Sequence, residues 1–254
     1  MEVHAHTHTE RKRFTHYLWE FIMLFLAVFC GFLAENFREH QVEHRREMQF
    51  IRSMADDIKL DTAALNGILV KRNRRKEMFD SLTTLLNSSQ RDKFISRLYF
   101  FSRHMQRLSP VVFTYNDRTI QQLKNGGNMR LISKQAVTDA IVLYDAAVRD
   151  MDLTQERENT YMLQCLPHLY RIFDGQVMDL MIDSLSTIHE PPSNVTLLPT
   201  AMASLPDFNG SLHSMKASNI VLQNKVKALI GEGEKLLNTI KKEYNLSEGT
   251  PLEK

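Results

Sequence analysis

The sequence predicts an all-α protein in which a single N-terminal transmembrane helix is followed by an antiparallel helical bundle. Three observations support this class: few glycines (9) and prolines (7) in 254 residues, an unbroken apolar stretch near the N-terminus, and helical spacing of apolar side chains beyond it. Scarce turn-forming residues favour long helices over a sheet with many turns. No stretch alternates apolar and polar residues for long enough to predict a strand.

The apolar stretch from Tyr17 to Ala34 covers 18 residues and contains one charged side chain, Glu20. As a helix it would extend roughly 27 Å, close to the hydrocarbon thickness of a bilayer. Trp19 stands beside Glu20 at one end, where interfacial aromatic residues are common. We therefore predict a transmembrane helix at residues 17–35.

A cleaved signal peptide is one alternative to a permanent anchor, because Arg11, Lys12 and Arg13 form a basic region before the stretch. Cleavage requires two small side chains separated by one residue, and Phe32 occupies the first of these positions. A soluble core helix is the other alternative, but such a helix normally carries a polar face, which this stretch lacks. The sequence favours an uncleaved single-pass anchor.

The orientation of the anchor rests on basic residues, whose numbers beside its two ends are nearly equal. The leading cluster is more compact, so we expect residues 1–16 to form a cytoplasmic tail at the cell (inner) membrane. The C-terminal part is then periplasmic, with a helical-bundle domain at 36–245 and a flexible tail at 246–254. The formal net charge of +2 gives no general argument for nucleic acid as a partner.

Apolar residues recur at three- and four-residue spacing in the segments that follow the anchor, which predicts helices. The charged segment 36–50 is predicted to continue the membrane helix, and an apolar stripe follows it over 51–86. A second stripe covers 94–108. A third begins near Ser133, a residue suited to an N-cap, and Pro167 should kink or break that helix.

The C-terminal part of the chain is predicted to contain further helices separated by a linker. A fourth stripe covers 169–188, residues 191–210 form a polar segment with prolines, and a last helix covers 222–244. None of the predicted helices can bury its narrow stripe alone. We therefore expect them to pack together as an antiparallel bundle.

The segment TYNDRTIQQLKNGGNMRLI, residues 114–132, combines a predicted short helix with a glycine turn. Asp117 is positioned to cap the helix, and Gly126 and Gly127 can end it because glycine tolerates positive φ. The apolar residues that follow return the chain to the core.

The same segment resembles the Thr-Tyr…Leu…Gly-Asn…Leu-Ile signature of a family of uncharacterised bacterial single-pass membrane proteins, a domain of unknown function. The resemblance extends to the anchor, which Glu20 opens and Asn36 closes, and to RREMQFIRSMADDIKLDTAAL. It covers the chain to about residue 150. The family usually has tryptophan after the closing Asn, where this chain has Phe37. The resemblance implies an anchor with an extracytoplasmic helical domain, and it implies no catalytic residues.

The strongest charge cluster is KRNRRK, residues 71 to 76. Two of its arginines interrupt the apolar stripe, so the helix is expected to bend, end or meet a partner there. An anionic ligand, a glycan or an acidic partner could bind this cluster, and a solvated basic turn is the alternative. The predicted ligand-binding residues are Arg72, Arg74, Arg75, Lys76 and Arg130.

Two histidines are the predicted metal ligands. His40 and His44 are four residues apart on a predicted helix, a spacing at which two imidazoles can share one zinc ion. A metalloprotease helix would require Glu directly after the first histidine, and Gln41 stands there. A solvated helix face is the alternative. The tail segment HAHTH, with His4, His6 and His8, could chelate a metal weakly.

Glu20 and Asn36 are the predicted membrane or partner contacts, because they close the two ends of the apolar stretch. An ionisable group in a span is a functional candidate by default. Glu20 could hydrogen-bond to the span of a partner, and its place near the edge also allows it to reach the headgroup region.

The sequence predicts no enzyme and no cofactor. Asp56, Asp57 and Asp61 are close together, but no histidine or second acidic cluster accompanies them, so a structural role is expected. We expect a protein that acts by protein–protein interaction or scaffolding, with the membrane and a second copy or another membrane protein as partners. The alternative is an extracytoplasmic sensor that binds a small anionic ligand and signals through a separate partner.

Overall fold

The computed structural model describes residues 14–107 and 111–246, and the predicted tail histidines His4, His6 and His8 lie outside them. The described residues form six α-helices and two short 3-10 helices, without a β-strand. The α-helices are α1 Phe14–Leu86, α2 Ile95–Arg107, α3 Arg118–Asn125, α4 Gln135–Leu169, α5 Gly175–Leu180 and α6 Ala201–Tyr244. The 3-10 helices are Arg91–Phe94 and Asn128–Leu131. The predicted all-α class is confirmed.

The chain divides into two compact units, residues 1–50 and 51–254, and α1 contributes to both. In the first unit, α1 contains an 18-residue window with a mean hydropathy of 2.1, none of which is buried. Among the described residues, α1 is the one helix that is long and apolar enough to cross a membrane. Phe25 stacks between Phe21 and Phe29, with ring centroids 6.4 and 5.9 Å apart.

The prediction that the charged segment 36–50 continues the apolar helix is confirmed, because α1 is unbroken from Phe14 to Leu86. The helix also continues through Arg72 and Arg75, where the apolar stripe is interrupted. Both side chains are buried in the second unit, so the interruption marks a buried contact and does not end the helix.

In the second unit, α1 and α4 run in the same direction. Tyr144 Oη donates to Asp61 Oδ2 (2.8 Å), and further along both helices Arg72 Nη1 donates to Glu158 Oε1 (3.1 Å). Residue numbers therefore rise together along the two helices.

α6 runs in the opposite direction. A Cβ on Gly233 would lie 3.4 Å from Ile58 Cγ2, whereas the earlier residue Lys216 of α6 pairs with Asp80, later on α1. Residue numbers on α6 therefore fall as those on α1 rise. The absence of a side chain at Gly233 allows the close approach of the two helices.

Buried apolar residues line all three long helices of this unit and are interrupted at one level. On one side of this level lie residues that precede it in α1 and α4 and residues that follow it in α6. The buried apolar residues there include Ile51, Ile58, Leu65, Ile141, Val148, Leu229, Leu236 and Ile240. On the other side lies a cluster that includes Phe79, Leu82, Leu86, Leu98, Tyr99, Leu169, Phe173, Phe208 and Leu212. Polar residues occupy the level between the two sets.

The predicted linker at 191–210 is too long, because α6 already begins at Ala201 and passes through Pro206. A proline inside a helix costs about 3 kcal/mol. Leu205, Phe208 and Leu212 are buried around it, and each such side chain contributes about 1.5–3 kcal/mol on burial. Core packing therefore outweighs the effect of the proline.

Two other predicted boundaries differ from the structure. α4 continues through Pro167 and ends two residues later, at Leu169, so the proline lies in the last turn. The N-cap of α4 is Lys134, one residue after Ser133, and its side chain makes no capping bond. Asp117 does occupy the N-cap of α3, but its side chain makes no capping bond either, whereas Gly127 has the expected positive φ of 61°.

The predicted fourth helix at 169–188 is much shorter than expected. Only Gly175–Leu180 is α-helical in the stretch between α4 and α6, and Asp174 caps it by accepting from the amide of Gln176 (2.8 Å). Tyr99 binds this irregular stretch to the core, because its hydroxyl donates to the Thr196 carbonyl (3.0 Å) and accepts from the Asp174 amide (2.9 Å).

Candidate functional site

The polar level of the second unit is built around Arg72 and Arg75, the two largest fully buried side chains of the described chain. Arg72 donates to Glu158 of α4, to Asn219 Oδ1 of α6 (3.2 Å) and to the carbonyl of Val111 (2.5 Å). Asn219 donates back to the Arg72 carbonyl (3.1 Å). Side chains of three helices thus meet in one buried hydrogen-bond network.

Arg75 shares the same carboxylate, with its Nη1 2.7 Å from Glu158 Oε1. Its guanidinium lies 5.1 Å from the centroid of the Phe79 ring, and its nitrogens make no hydrogen bond within the described chain. Burial is the main cause that lowers the pKa of Arg75; the neighbouring Arg72 charge also lowers this pKa, and Glu158 opposes both. The network therefore contains two guanidinium groups and one carboxylate, an excess of one positive charge.

The structure separates the five predicted ligand-binding residues. Arg72 and Arg75 have no exposed surface, so neither can contact a ligand at the protein surface in this conformation. Arg74 is exposed, and Lys76 is half-buried and pairs with Asp80, its Nζ 3.0 Å from the carboxylate. Arg130 is exposed in the second 3-10 helix. Ligand binding by these residues stays a prediction.

Glu158 and Asn219 were not predicted as functional or structural centres. Both are buried among apolar residues of their helices, Glu158 between Met151 and Met162 and Asn219 between Met215 and Leu222. Arg72 and Arg75 were noticed for the same reason, because they interrupt the apolar stripe of α1. A polar residue at a stripe position of each of three helices could therefore have indicated their meeting.

Two buried carboxylates of α1 hold the segment that follows α2. Asp61 Oδ1 accepts from the backbone amide (2.9 Å) and side-chain amide (2.7 Å) of Asn116. Asp57 accepts from the backbone amide (3.3 Å) and hydroxyl of Thr119. The structural role expected for these aspartates agrees with these bonds, whereas Asp56 is exposed and pairs with Lys59.

Tyr144 extends this carboxylate cluster to α4. Its hydroxyl donates to Asp61 Oδ2, and its pKa is raised mainly by burial and further by the Asp61 charge. The segments ADDIKLD and TYNDRT thus contact each other through Asp57 and Asp61.

The predicted contact residues of the first unit lie along α1. His40 is exposed, and His44 Nδ1 is 3.4 Å from the buried Glu47 carboxylate. His16 Nε2 is 3.0 Å from Glu20 Oε1, and Asn36 is exposed. Among the described residues, no group of three His, Cys, Asp or Glu side chains converges to hold a metal ion.

One thiol lies deep in the second unit. Cys165 is fully buried, and burial raises the pKa of its thiol to about 12. Because the thiolate is the nucleophilic form, this cysteine is unreactive near neutral pH.

An acidic groove of about 470 Å³ lies against α4, with a lining that includes Val112, Phe113, Tyr115, Asp152, Gln155 and Glu156. Burial raises the pKa of Asp152. The pKa of Tyr115 is raised by burial and then by the charges of nearby aspartates, against a smaller effect of Arg149. The local potential of this groove is therefore negative.

A second groove, of about 270 Å³, lies between α4 and α6. We call it the α4–α6 groove; it is lined by Thr154, Arg157 and Tyr161 of α4 and by His213, Ser214 and Ser218 of α6, with Ala217 and Val221. No carboxylate lines it. The two grooves therefore differ in charge although both use side chains of α4.

Protein-family models, curated proteins and solved structures contain no match to this chain. Its function is therefore inferred from its own sequence and geometry.

Proposed function

We propose that this chain is a membrane-anchored helical-bundle protein that acts by protein–protein interaction or scaffolding and is not an enzyme. Residues 17–35 form the transmembrane helix, and 36–245 form a bundle in which α6 runs antiparallel to α1 and α4. The observation that carries the proposal is the apolar window of α1, none of whose residues is buried in the folded chain. An exposed apolar surface of this extent requires an apolar environment.

The polar interior of the second unit supports a structural reading over a catalytic one. Asp57, Asp61 and Glu158 are each engaged by donors from other segments of the chain. The Cys165 thiol is held in its neutral form. These buried groups hold helices and segments together, which suits a scaffold.

The proposed location is the inner membrane of a bacterium, in line with the family resemblance, with the N-terminus cytoplasmic and the bundle periplasmic. The proposed partner is a second copy of this chain or another membrane protein. Glu20, which pairs with His16, and Asn36 are exposed along α1 near the two ends of the proposed span.

The anchor and its orientation can be tested together. The full chain should remain in the membrane after an alkaline carbonate wash. Cys165 is buried, and Cys30 lies inside the proposed span, where lipid would shield it from a polar reagent; Lys227→Cys, on the exposed side of α6, would therefore supply the accessible thiol. A membrane-impermeant maleimide should label this variant, and not the unmodified chain, in intact spheroplasts. Release by carbonate would contradict the anchor, and labelling only after lysis would reverse the orientation.

The oligomer can be tested separately. We expect the full chain in a neutral detergent to be an oligomer. Light scattering, with the detergent mass subtracted, should give a protein mass of at least twice 29.6 kDa. A strictly monomeric mass over the accessible concentration range would exclude a stable homo-oligomer and leave another membrane protein as the proposed partner.

We propose as a second candidate an extracytoplasmic sensor that binds a small anionic ligand and signals through a separate partner. The α4–α6 groove favours it, because its lining contains Arg157 and no carboxylate. Stabilisation of the full chain by an added anion, measured at constant ionic strength, would support this function, and its absence would count against it.

A further inference from the structure

We propose that the α4–α6 groove binds a phosphate-type oxyanion, with Arg157 supplying the charge and Tyr161, His213 and Ser218 supplying hydrogen bonds. This inference rests on the second candidate function, whose ligand class it specifies and whose site it assigns to residues outside the 71–76 cluster. It is carried by the charge, the free donors and the size of the groove.

The charge of the groove favours an anion. Arg157 contributes a guanidinium cation, and no carboxylate stands in the lining to neutralise it. Asp152 and Glu156, on neighbouring positions of α4, line the acidic groove instead. Asp150 pairs with Lys225, and Glu158 is buried with the two arginines of α1. The acidic residues closest to Arg157 along α4 therefore line the other groove or pair with other side chains.

The donors of the groove divide into two sets. The hydroxyls of Thr154 and Ser214 donate to carbonyls of their own helices, at 2.9 and 3.2 Å, so their protons are already used. Arg157, Tyr161 and His213 make no hydrogen bond or ion pair with any described residue. A guanidinium, a phenol and an imidazole are thus left to meet a ligand from the two walls of one groove.

Ser218 adds a hydroxyl that is shielded from solvent, with 7% of the residue exposed, and it also makes no hydrogen bond within the described chain. An oxyanion has several acceptor oxygens and can take bonds from all four groups at once. A guanidinium fork is well suited to phosphate, and its charge-assisted bonds are the strong ones.

The size of the groove limits the ligand. Its volume of about 270 Å³ is slightly below the usual range of ligand sites, roughly 300 to 1,000 Å³, so only a small ligand would fit. Inorganic phosphate, a small phosphate monoester or the phosphate of a lipid headgroup would share the required chemistry. These sources are distinguished by experiment.

The test uses the full chain in a neutral detergent, with unfolding followed by circular dichroism. Inorganic phosphate, compared with chloride at the same ionic strength, should raise the unfolding temperature in a saturable manner. Arg157→Met should weaken the apparent phosphate affinity by roughly 10- to 100-fold, the range expected when one charge-assisted group is lost. Arg171→Met, an exposed arginine just after α4 that lies outside the groove and outside the 71–76 cluster, makes the same charge change and should leave the affinity unaltered.

Each outcome has a defined meaning. If phosphate stabilises Arg157→Met as much as the unmodified chain, the assignment to this groove is wrong while the second candidate function stands. If no anion stabilises the unmodified chain and the lipid arm is also negative, both are wrong. The lipid arm omits free phosphate and adds phosphatidylglycerol to the micelle. If phosphatidylglycerol stabilises the unmodified chain, free phosphate does not, and Arg157→Met removes the stabilisation, the site is supported and its ligand is a lipid phosphodiester.

Discussion

Replacing Glu158 by glutamine should lower the free energy of unfolding by about 3–5 kcal/mol, the cost of removing one partner from a buried ion pair. The carboxylate is 1% exposed and is the acid paired with both Arg72 and Arg75, which have no exposed surface. The neutral amide would leave two buried guanidinium groups without a counter-charge. Chemical unfolding of the full chain in neutral detergent, followed by circular dichroism, measures the effect.

The opposite change provides a contrast within the same network. Arg75→Met should cost less than Glu158→Gln, because it removes one ion pair to Glu158 but leaves that carboxylate paired with Arg72, so that one guanidinium remains for one carboxylate. Removing one partner from a buried ion pair is costly mainly because it leaves an uncompensated buried charge, which this substitution avoids.

The matched control for Glu158 is Glu156→Gln, which changes an exposed acid two residues earlier on α4 and should alter stability by no more than about 0.5 kcal/mol. Equal effects of the two glutamine substitutions would mean that the buried charge balance contributes little. A larger loss in Arg75→Met than in Glu158→Gln would mean that the packing of Arg75 on Phe79 matters more than the excess of positive charge.

Replacing Asp61 by asparagine should destabilise the second unit by roughly 3 kcal/mol, because hydrogen bonds to a charged acceptor contribute about 1.5–3 kcal/mol each. Its two oxygens accept three such bonds, two from Asn116 and one from Tyr144. An amide has one acceptor oxygen, so at least one of the three donors would face an NH₂ group. The loss should be measurable by chemical unfolding.

The local effect of Asp61→Asn should be faster amide hydrogen exchange in the segment that includes Asn116 and Thr119. Asp56→Asn is the matched control, because Asp56 is exposed and pairs only with Lys59, a surface contact worth about 0–1 kcal/mol. Equal exchange rates in the two variants would show that Asp61 does not hold this segment.

Local features of the sequence were sufficient to predict several elements. The apolar run predicted the exposed stretch of α1, and the three- and four-residue spacing from Phe94 onward predicted α2, observed at Ile95–Arg107. Such patterns depend on residues within a few turns of one another. They also predicted the glycine turn, where Gly127 adopts a positive φ that L-residues disfavour.

The predicted linker before the last helix was too long, because a proline was taken to exclude a helix whose apolar side chains are buried. The sequence predicted a linker up to Gly210 because Pro206 and polar residues precede the last stripe, yet α6 starts at Ala201. Phe208 and Leu212, both buried, supply the compensating packing. Burial depends on what the rest of the chain brings to that face, which local pattern does not contain.

The residues of the candidate site also differ in whether local sequence pattern or tertiary contacts determine their surroundings. The cluster at 71–76 stood out by charge, and the apolar stripe set Arg72 and Arg75 apart from Arg74, which is exposed. The local pattern did not show that both arginines share the buried carboxylate of Glu158, because the contact of Glu158 with Arg72 spans 86 residues of sequence. The α4–α6 groove likewise combines residues that no motif connects.

The sequence by itself therefore determined the helical class, the exposed apolar stretch and the approximate position of most helices, because these depend on hydrophobic periodicity and on steric preferences of nearby residues. Only the tertiary structure decided which charges are buried, which carboxylates hold other segments, and which side chains form a groove. These properties depend on the packing of helices distant in sequence, whose register sets the solvation and the partners of each polar group.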